Sequence, residues 1–182
     1  MLGESFSQIL AAARTGAESA WTSIYHDLAS QVLGYLRANK AEDADDLTGE
    51  VFLQVVRDLG RFEGGEKEFR AWVFTIAHHR LVDSRRRRAR RPLESMVRVI
   101  AEEQGGDVEA EALANLGAER VHELIARLAP DQREVLLLRI LGGLKVSEVA
   151  EAQGKSQGAV KALQRRGLAL IERTLAKEGV TV

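Results

Sequence analysis

The chain contains no cysteine and only two prolines among its 182 residues. Without cysteine it has neither a disulfide framework nor a cysteine-ligated zinc site, and this composition fits a reducing compartment. No apolar run approaches the ~20 residues that cross a membrane, and the N-terminus lacks the basic-then-apolar pattern of a signal peptide. We therefore expect a cytoplasmic protein without membrane insertion.

Motifs of enzymes and metal sites are also missing. His78 and His79 are adjacent rather than four residues apart, so they cannot both face one metal from a helix. The sequence has no glycine-rich phosphate loop and no nucleophile motif. We expect no enzymatic activity, no metal, no cofactor and no small-molecule substrate. Two isolated pairs, expected at the surface, are His26-Asp27 and His122-Glu123.

The formal net charge of −1 hides two separate blocks of opposite charge. The segment from Arg80 to Arg91 is strongly basic, with Asp83 as its one acidic residue, whereas the segment from Glu94 to Glu123 is mainly acidic. The neutral total therefore does not exclude a nucleic-acid-binding surface.

Apolar residues recur at spacings of three and four along most of the chain, which predicts an all-α protein. We expect two small helical domains joined by a flexible acidic linker that could become partly helical on a partner. The predicted domains are residues 1–91 and 114–182, with the linker at 92–113. The predicted helices are at about 17–38, 44–59, 69 into the arginine run, 116–128 and 130–141, followed by a helix-turn-helix.

The helix-turn-helix is indicated by Ala150, Gly154 and Val160. Ala150 is small enough for two helices to cross closely, Gly154 can adopt the positive φ of the turn, and Val160 can bury the second helix. Ser156 is a suitable N-cap for that helix. A helical hairpin with a solvated face is the alternative. The outward side chains would be Gln157, Lys161, Gln164 and Arg165, which can reach phosphates or base edges.

An acidic and apolar face is expected on the helix at 44–59. Asp43, Asp46 and Glu50 lie on one side of it at helical spacing, and Phe52 and Val56 fall outside its core-facing stripe. This mixture suits a basic protein surface better than DNA, although an ordinary solvated face has the same pattern.

Three segments resemble bacterial sigma factors: DADDLTGEVFLQVVRDLGRF, FRAWVFTIAHHRLVDSRRRRARR and LAPDQREVLLLRILGGLKVSEVAEAQGKSQGAVKALQRRGLALI. They are similar to conserved regions two and four, and the absence of a large middle domain resembles the extracytoplasmic-function (ECF) type. The resemblance covers residues 5–91 and 114–176. It implies a promoter-specificity factor that binds core RNA polymerase and promoter DNA and is held inactive by an anti-sigma factor.

The resemblance implies that the acidic and apolar helix docks on core polymerase. Many relatives carry Gln at the position of Gly49, and glycine inside a helix costs ~1 kcal/mol relative to alanine. This departure leaves open whether polymerase affinity or local rigidity is reduced. The implied docking residues are Asp43, Asp46, Gly49, Glu50, Phe52 and Val56.

The resemblance also assigns the opening of the minus-10 element to the loop after residue 61 and the helix that follows. Holding a displaced strand requires a pocket for a flipped base, surfaces for stacking and cations along the backbone. Trp72 is expected in the core, and Phe74 is equally compatible with core and stacking roles. His79 stands where relatives often carry Asn, so the base preference there cannot be transferred. The implied residues are Phe62, Glu63, Gly64, Gly65, Glu66, Lys67, Arg70, His78, His79, Arg80 and Asp83, with Arg86 and Arg87 as phosphate contacts.

Recognition of the minus-35 element is assigned by the resemblance to the second helix of the helix-turn-helix. Arg165 or Arg166 could bind a guanine edge, and Gln157 or Gln164 an adenine. A stand-alone helix-turn-helix regulator remains the alternative function, but such a protein has no need of a docking helix or a strand-trapping loop. The implied residues are Lys155, Ser156, Gln157, Ala159, Lys161, Ala162, Gln164, Arg165 and Arg166.

Overall fold

The computed structural model describes residues 3–90 and 120–178, and every regular element in these two ranges is helical. This confirms the predicted all-α class. The predicted linker at 92–113 lies outside the described residues. The helices are α1 (Phe6–Arg14), α2 (Glu18–Ala38), α3 (Ala44–Asp58), α4 (Glu66–Ala89), α5 (residues 120–126), α6 (Pro130–Ile140), α7 (Val146–Gln153) and α8 (Gln157–Lys177).

The core of the N-terminal half lies between α2, α3 and α4. Ile24 and Val32 of α2, Val51 and Val55 of α3, and Val73 of α4 are completely buried. The spacing of eight residues in α2 and of four in α3 places these side chains on one stripe of each helix, which is the pattern that predicted these helices.

Helix α1 was not predicted from the sequence, although it completes this core. It buries Phe6, Leu10 and Ala13, which follow one another at spacings of four and three. The ring of Phe6 packs against Phe69 of α4 at a centroid distance of 5.5 Å. The guanidinium of Arg14 donates a hydrogen bond to the backbone carbonyl of Phe62, so that α1 is attached to the loop before α4.

The helix-turn-helix is present as predicted. Gly154 ends α7 in the left-handed conformation, with φ of +62°. The Oγ atom of Ser156 accepts a hydrogen bond from the backbone N–H of Ala159 at 3.2 Å, and this bond caps α8. Ala150 and Val160 are both buried where α7 and α8 cross.

Helix α8 also packs closely on α6. Gly167 is buried there, and a Cβ atom at this position would lie 2.7 Å from Cδ1 of Leu136. Arg133 of α6 connects to the preceding helix, because its guanidinium donates to the carbonyls of Ile125 and Ala126 at 3.0 and 2.8 Å. The C-terminal half is therefore a small bundle around α6.

The two halves pack directly on each other, a contact that the sequence did not indicate. Helices α6 and α7 lie against α4. Leu138 and Leu144 are completely buried in the same continuous hydrophobic core as Phe74 of α4. This contact determines which parts of α4 remain exposed.

Candidate polymerase and nucleic-acid interface

Helix α8 presents a polar face opposite its buried side. Val160 and Leu163 point into the C-terminal core, whereas a shallow groove on the outer side is lined by Lys161, Gln164 and Arg165. Positive and amide side chains on an exposed helix after a helix-turn-helix turn can contact phosphates and base edges in a major groove.

The other residues predicted for minus-35 recognition lie around the start of the same face. Lys155 is half-buried and its Nζ lies 3.6 Å from Asp131 of α6, so this cation already has an anionic neighbour. Ser156 is engaged as the cap of α8. The exposed members are Gln157, Ala159, Lys161, Arg165 and Arg166, and Ala162 and Gln164 are half-buried.

Helix α3 carries an exposed surface in which apolar and acidic side chains adjoin. Leu53 and Val56 are 58% and 50% exposed. Phe52 was expected outside the core-facing stripe of α3, but it is buried, and its ring packs against the exposed ring of Tyr25 of α2 with centroids 4.8 Å apart. Tyr25 thus belongs to this surface, although the sequence analysis did not single it out. The predicted docking residues Asp43, Asp46 and Gly49 are exposed, and Glu50 is half-buried.

Glu50 is surrounded by arginines of α4. Its carboxylate lies 3.8 Å from Arg80 and 3.7 Å from Arg87. Arg80 also donates two hydrogen bonds to Oε1 of Gln54, at 3.0 and 2.7 Å. The carboxylate of Glu50 therefore helps to position the basic side of α4, in addition to any contact with a partner.

The loop before α4 is arranged around an aromatic corner. The ring of Phe62 is stacked on Trp72 at 5.1 Å and packs edge-on against Phe69 at 5.2 Å. Phe62 is buried and Trp72 is half-buried, so that only Trp72 offers part of a ring to solvent. Phe74 is completely buried, which settles the open question of its role in favour of the core.

The loop itself exposes most of its predicted strand-binding residues. Gly64 has a φ of +140° and its Cβ would clash with the side chain of Glu68, so only glycine fits without rearrangement. The carboxylate of Glu68 accepts a hydrogen bond from the backbone N–H of Gly65 at 3.1 Å and caps α4. Of the predicted residues, Glu63, Gly64 and Gly65 are exposed in the loop, Lys67 is exposed in the first turn of α4, and Glu66 at the start of α4 is half-buried.

The outer side of α4 forms a basic groove. His79, Arg80, Asp83 and Arg86 line it, and Ala152 of α7 closes its other side. His79 and Arg86 are exposed, with Asp83 3.9 Å from Arg86. Arginines in such a groove can neutralise phosphates, which supplies affinity that depends on salt and carries little sequence information.

A buried polar cluster lies where α4 meets α6. The hydroxyl of Tyr35 lies 3.0 Å from Nδ1 of His78, within hydrogen-bonding distance. A carboxylate oxygen of Glu134 is 3.9 Å from the same ring nitrogen, and the other oxygen accepts a hydrogen bond from Arg85. His78 is only 3% exposed. In this arrangement His78 is enclosed and cannot reach DNA, and its minus-10 role stays a prediction.

Burial determines the ionisation of this cluster. Removal from water lowers the pKa of His78 below its ordinary value of 6.5, and the carboxylate of Glu134 opposes part of this effect. Burial likewise raises the pKa of the Tyr35 hydroxyl well above 10.0, and Glu134 raises it further. Both groups are consequently uncharged near neutral pH.

The described residues contain neither a membrane-spanning helix nor a metal-binding cluster. None of their helices is long and apolar enough to cross a membrane. Within the same two ranges there is no cluster of histidine and acidic side chains suited to a metal ion.

Two protein families match the chain. Residues 23–91 match sigma-70 region 2, and residues 118–171 match sigma-70 region 4. The first match contains α3, the aromatic corner and α4, and the second contains the helix-turn-helix. The two matched segments therefore coincide with the two halves that carry the surfaces described above.

Individual proteins show the same similarity along most of the chain. The ECF RNA polymerase sigma factor BldN of Streptomyces coelicolor is 32% identical over 171 residues, which cover 92% of this chain and 65% of BldN. The chain thus spans slightly less than two thirds of BldN. The ECF RNA polymerase sigma factor ShbA of Streptomyces griseus is 34% identical over 138 residues, which cover 74% of this chain and 72% of ShbA.

A solved structure has the same fold. CnrH, determined in complex with the cytosolic domain of CnrY, superposes with a TM-score of 0.59 at 23% identity. The superposition covers 96% of this chain and 99% of that chain. The arrangement of helices is therefore one that has been observed experimentally.

Proposed function

The chain belongs to the ECF sigma factors, which direct bacterial RNA polymerase to promoters, and we propose that its α3, α4 and α8 divide this task among them. In this proposal α3 docks on core polymerase, α4 and the loop before it hold the opened minus-10 element, and α8 reads the minus-35 element. The chain acts by binding and performs no catalytic step, and it works in the cytoplasm beside the polymerase.

The observation that carries the proposal is the surface of α3. Leu53 and Val56 are half exposed beside Asp46 and Glu50. A stand-alone DNA-binding regulator gains nothing from apolar side chains next to carboxylates, because DNA is itself an anion. A basic protein surface with apolar gaps complements both kinds of side chain.

Recognition of the upstream element is supported by the rigidity of α8. The helix is fixed by its cap at Ser156 and by the close packing of Gly167 on α6. Gln157, Lys161 and Arg165 project from this fixed support into solvent. Side chains held by a rigid element can discriminate bases, whereas side chains on a mobile loop mainly contribute affinity.

Capture of the minus-10 strand is supported by the combination of an aromatic edge with cations. Trp72 is partly exposed beside the glycine-containing loop, and Lys67 and Arg86 are exposed on α4. Single-stranded DNA is bound by stacking of bases on aromatic rings and by cations along its backbone. The loop and α4 offer both kinds of side chain.

A protein that masks these surfaces is part of the proposal. An anti-sigma factor would cover the apolar side chains that the chain exposes when polymerase is absent. Leu53 and Val56 on α3, and Ile140 at the end of α6, are each at least half exposed. Because exposed aliphatic side chains lie in both halves of the chain, they suit a partner protein that contacts both halves.

Transcription by core polymerase tests the proposal. A genomic promoter library is transcribed by bacterial core polymerase with and without the chain, and the transcript starts are sequenced. We expect discrete start sites that require the chain, with two shared sequence elements upstream of them. If no start sites depend on the chain and it also fails to bind core polymerase, the stand-alone regulator becomes the better account.

A further inference from the structure

The N-terminal segment holds the loop that leads into α4 at both ends of the loop. At the start of the loop, the guanidinium of Arg14 of α1 donates a hydrogen bond to the backbone carbonyl of Phe62. At the end of the loop, the carboxylate of Glu66 accepts a hydrogen bond from the backbone N–H of Gly3 at 3.2 Å. Residues 63–65, which lie between these two bonds, are all exposed. The course of the loop is therefore set by the N-terminal segment as well as by α4.

Arg14 extends from a helix that is attached to the core at both of its ends. At the C-terminal end of α1, the indole N–H of Trp21 of α2 donates to the backbone carbonyl of Ala13 at 3.1 Å. At the N-terminal end, the ring of Phe6 packs on Phe69 of α4. Because α1 is held in this way, the guanidinium of Arg14 reaches the loop from a fixed position.

The bond from Arg14 determines the direction in which the chain enters the loop. The carbonyl that it binds belongs to the planar peptide unit between Phe62 and Glu63, so a bond to its oxygen fixes the rotation of the whole unit. Phe62 has extended backbone here, with ψ of 132°. Gly64 and Gly65 follow, and glycine is the residue with the greatest conformational freedom. The loop residues alone therefore do not enforce this direction.

The exit of the loop is held by α4 itself. The carboxylate of Glu68 accepts a hydrogen bond from the backbone N–H of Gly65 at 3.1 Å. The entrance depends on Arg14, whose guanidinium is a planar group with donors in fixed directions. A hydrogen bond from a charged donor is also stronger than one between neutral groups. Arg14 is thus suited to fix a carbonyl at the surface of the protein.

We propose that Arg14 is a positioning residue for strand capture, which orders the loop at 63–65 in advance for the displaced minus-10 strand and does not itself touch DNA. The proposal rests on the proposed function, in which this loop and α4 hold that strand. A loop that is already ordered loses little conformational entropy when the strand binds. The same side chains on a loop that became ordered only during binding would hold the strand more weakly.

Amide hydrogen exchange tests the proposal in the free chain, without DNA or polymerase. The N–H of Gly65 reports the order of the loop, and in the wild type it should exchange more slowly than in an unstructured peptide. Arg14→Met removes the donor and keeps an unbranched side chain. It should raise the exchange rate of Gly65 about tenfold. The amide of Val73, which is completely buried inside α4, should exchange at an unchanged rate.

Binding of an opened promoter tests the effect on strand capture. The probe is a fork-junction DNA with a single-stranded minus-10 segment, taken from a promoter that the transcription library has identified. Polymerase carrying Arg14→Met should bind this probe about tenfold more weakly, because a hydrogen bond from a charged donor is lost. Its affinity for core polymerase should equal that of the wild type. Arg14→Lys keeps the charge and a less directional donor, so its affinity for the probe should be intermediate.

A matched variant and the salt dependence separate positioning from direct contact with DNA. Arg61 is exposed and immediately precedes Phe62, so Arg61→Met removes the same charge beside the same loop. This variant should keep the slow exchange of Gly65 and most of the affinity for the probe. The slope of log affinity against log salt should be equal for the wild type and Arg14→Met, whereas loss of a direct phosphate contact would reduce the slope by about 0.7.

The proposal requires faster exchange and weaker strand binding together in Arg14→Met, and the absence of either effect overturns it. Equal weakening by Arg61→Met, or a reduced salt slope, also overturns it, because Arg14 would then act through its charge on the DNA. If circular dichroism shows that Arg14→Met is unfolded, Arg14→Lys decides by the same two measurements. If wild-type polymerase complex does not bind the probe, the proposed function is contradicted instead, while the exchange rates still show whether Arg14 orders the loop.

Discussion

Gly142 and Phe74 touch across the two halves of the chain with no room for a side chain on the glycine. A Cβ at Gly142 would meet the Cβ of Phe74 at 2.9 Å and the backbone carbonyl oxygen of Leu138 at 2.8 Å. Neither of these atoms is the end of a flexible side chain that could turn aside. The contact between the halves is therefore fitted to glycine at this position.

Gly142→Ala is expected to destabilise the protein. Adding a methyl group to a closely packed site typically costs about 1–3 kcal/mol, and here part of the cost falls on the contact with α4. Urea unfolding monitored by circular dichroism measures the change in the free energy of unfolding. An unchanged free energy would show that the turn after α6 can move away from α4 freely.

Gly49→Ala is expected to have the opposite effect. Gly49 lies inside α3, is exposed, and has open space where a Cβ would stand. Alanine should therefore stabilise the protein by about 1 kcal/mol through helix propensity alone, measured by the same unfolding experiment. Gly49→Gln should stabilise α3 as well and retain polymerase binding; a loss of binding would mean that the partner approaches the α3 backbone at Gly49.

Acidification is expected to loosen the contact between α4 and α6. The pKa of His78 is lowered in the closed chain and returns toward 6.5 on exposure, so the open form binds a proton more tightly. The contribution of neutral His78 is therefore fully present above pH 6.5 and is lost as the pH falls below that value. The groups that act on this ring are Tyr35 of α2, Arg85 and His79 of α4, Glu134 of α6 and Lys155 before α8.

Spin labels attached at Val82→Cys of α4 and Ala152→Cys of α7, which both line the groove between these helices, report this effect through the distance between them from about pH 7.5 to about pH 5.5. The long-distance population should grow toward the acidic end, where His78 becomes protonated. His78→Gln removes the titrating group and should flatten the profile. A profile that is equally steep in this variant would assign the titration to another group.

Val56→Asp is expected to weaken polymerase binding about tenfold, since burying one exposed valine contributes on the order of 1–2 kcal/mol. Val56 is 50% exposed, so the free chain should remain as stable as the wild type. Val121→Asp is the matched control, because Val121 is 55% exposed in the other half. Equal losses of affinity in both variants, measured by titration of labelled chain with core polymerase, would argue against docking through α3.

Glu50→Lys should also reduce polymerase binding, but it affects two interactions at once. The lysine would reverse a charge of the docking surface and would repel Arg80 and Arg87 of α4. Comparison with Glu50→Gln separates the two effects, because the amide removes the carboxylate without adding a like charge. A weakening in Glu50→Lys alone would assign the effect to α4.

Local features of the structure were predictable from sequence, whereas contacts between distant segments were not. Gly154 and Ser156 were identified because a left-handed turn and an N-cap each depend on a single residue type. The buried polar cluster around Glu134 was not predicted, because an acidic residue on a helix normally faces solvent. Helix α1 was also missed, although Phe6 and Leu10 have helical spacing, because a short N-terminal helix gains its stability only from packing.

In the candidate site, too, local features could be predicted from the sequence, whereas packing between distant segments could not. Exposure of Lys161 and Arg165 on α8 could be derived from the helical phase set by Val160. The roles of Phe62 and Phe74 could not, because both are aromatic residues that suit stacking and core equally, and only packing against Trp72 and Tyr35 decided between them. Sequence identifies which side chains are chemically suited to DNA, and the fold determines which of them are accessible.

Base preferences at the two promoter elements test the central claim most directly, namely that α8 and α4 read different elements. Promoters randomised at minus-35 and at minus-10 are transcribed by polymerase carrying the wild-type chain or the double variant Arg165→Ala, Arg166→Ala. Each lost base contact is worth about 1–3 kcal/mol, so the variant should lose its preference at minus-35 while it retains the preference at minus-10 and still binds polymerase. An unchanged preference at minus-35, or a loss of polymerase binding in the variant, would contradict this division of roles.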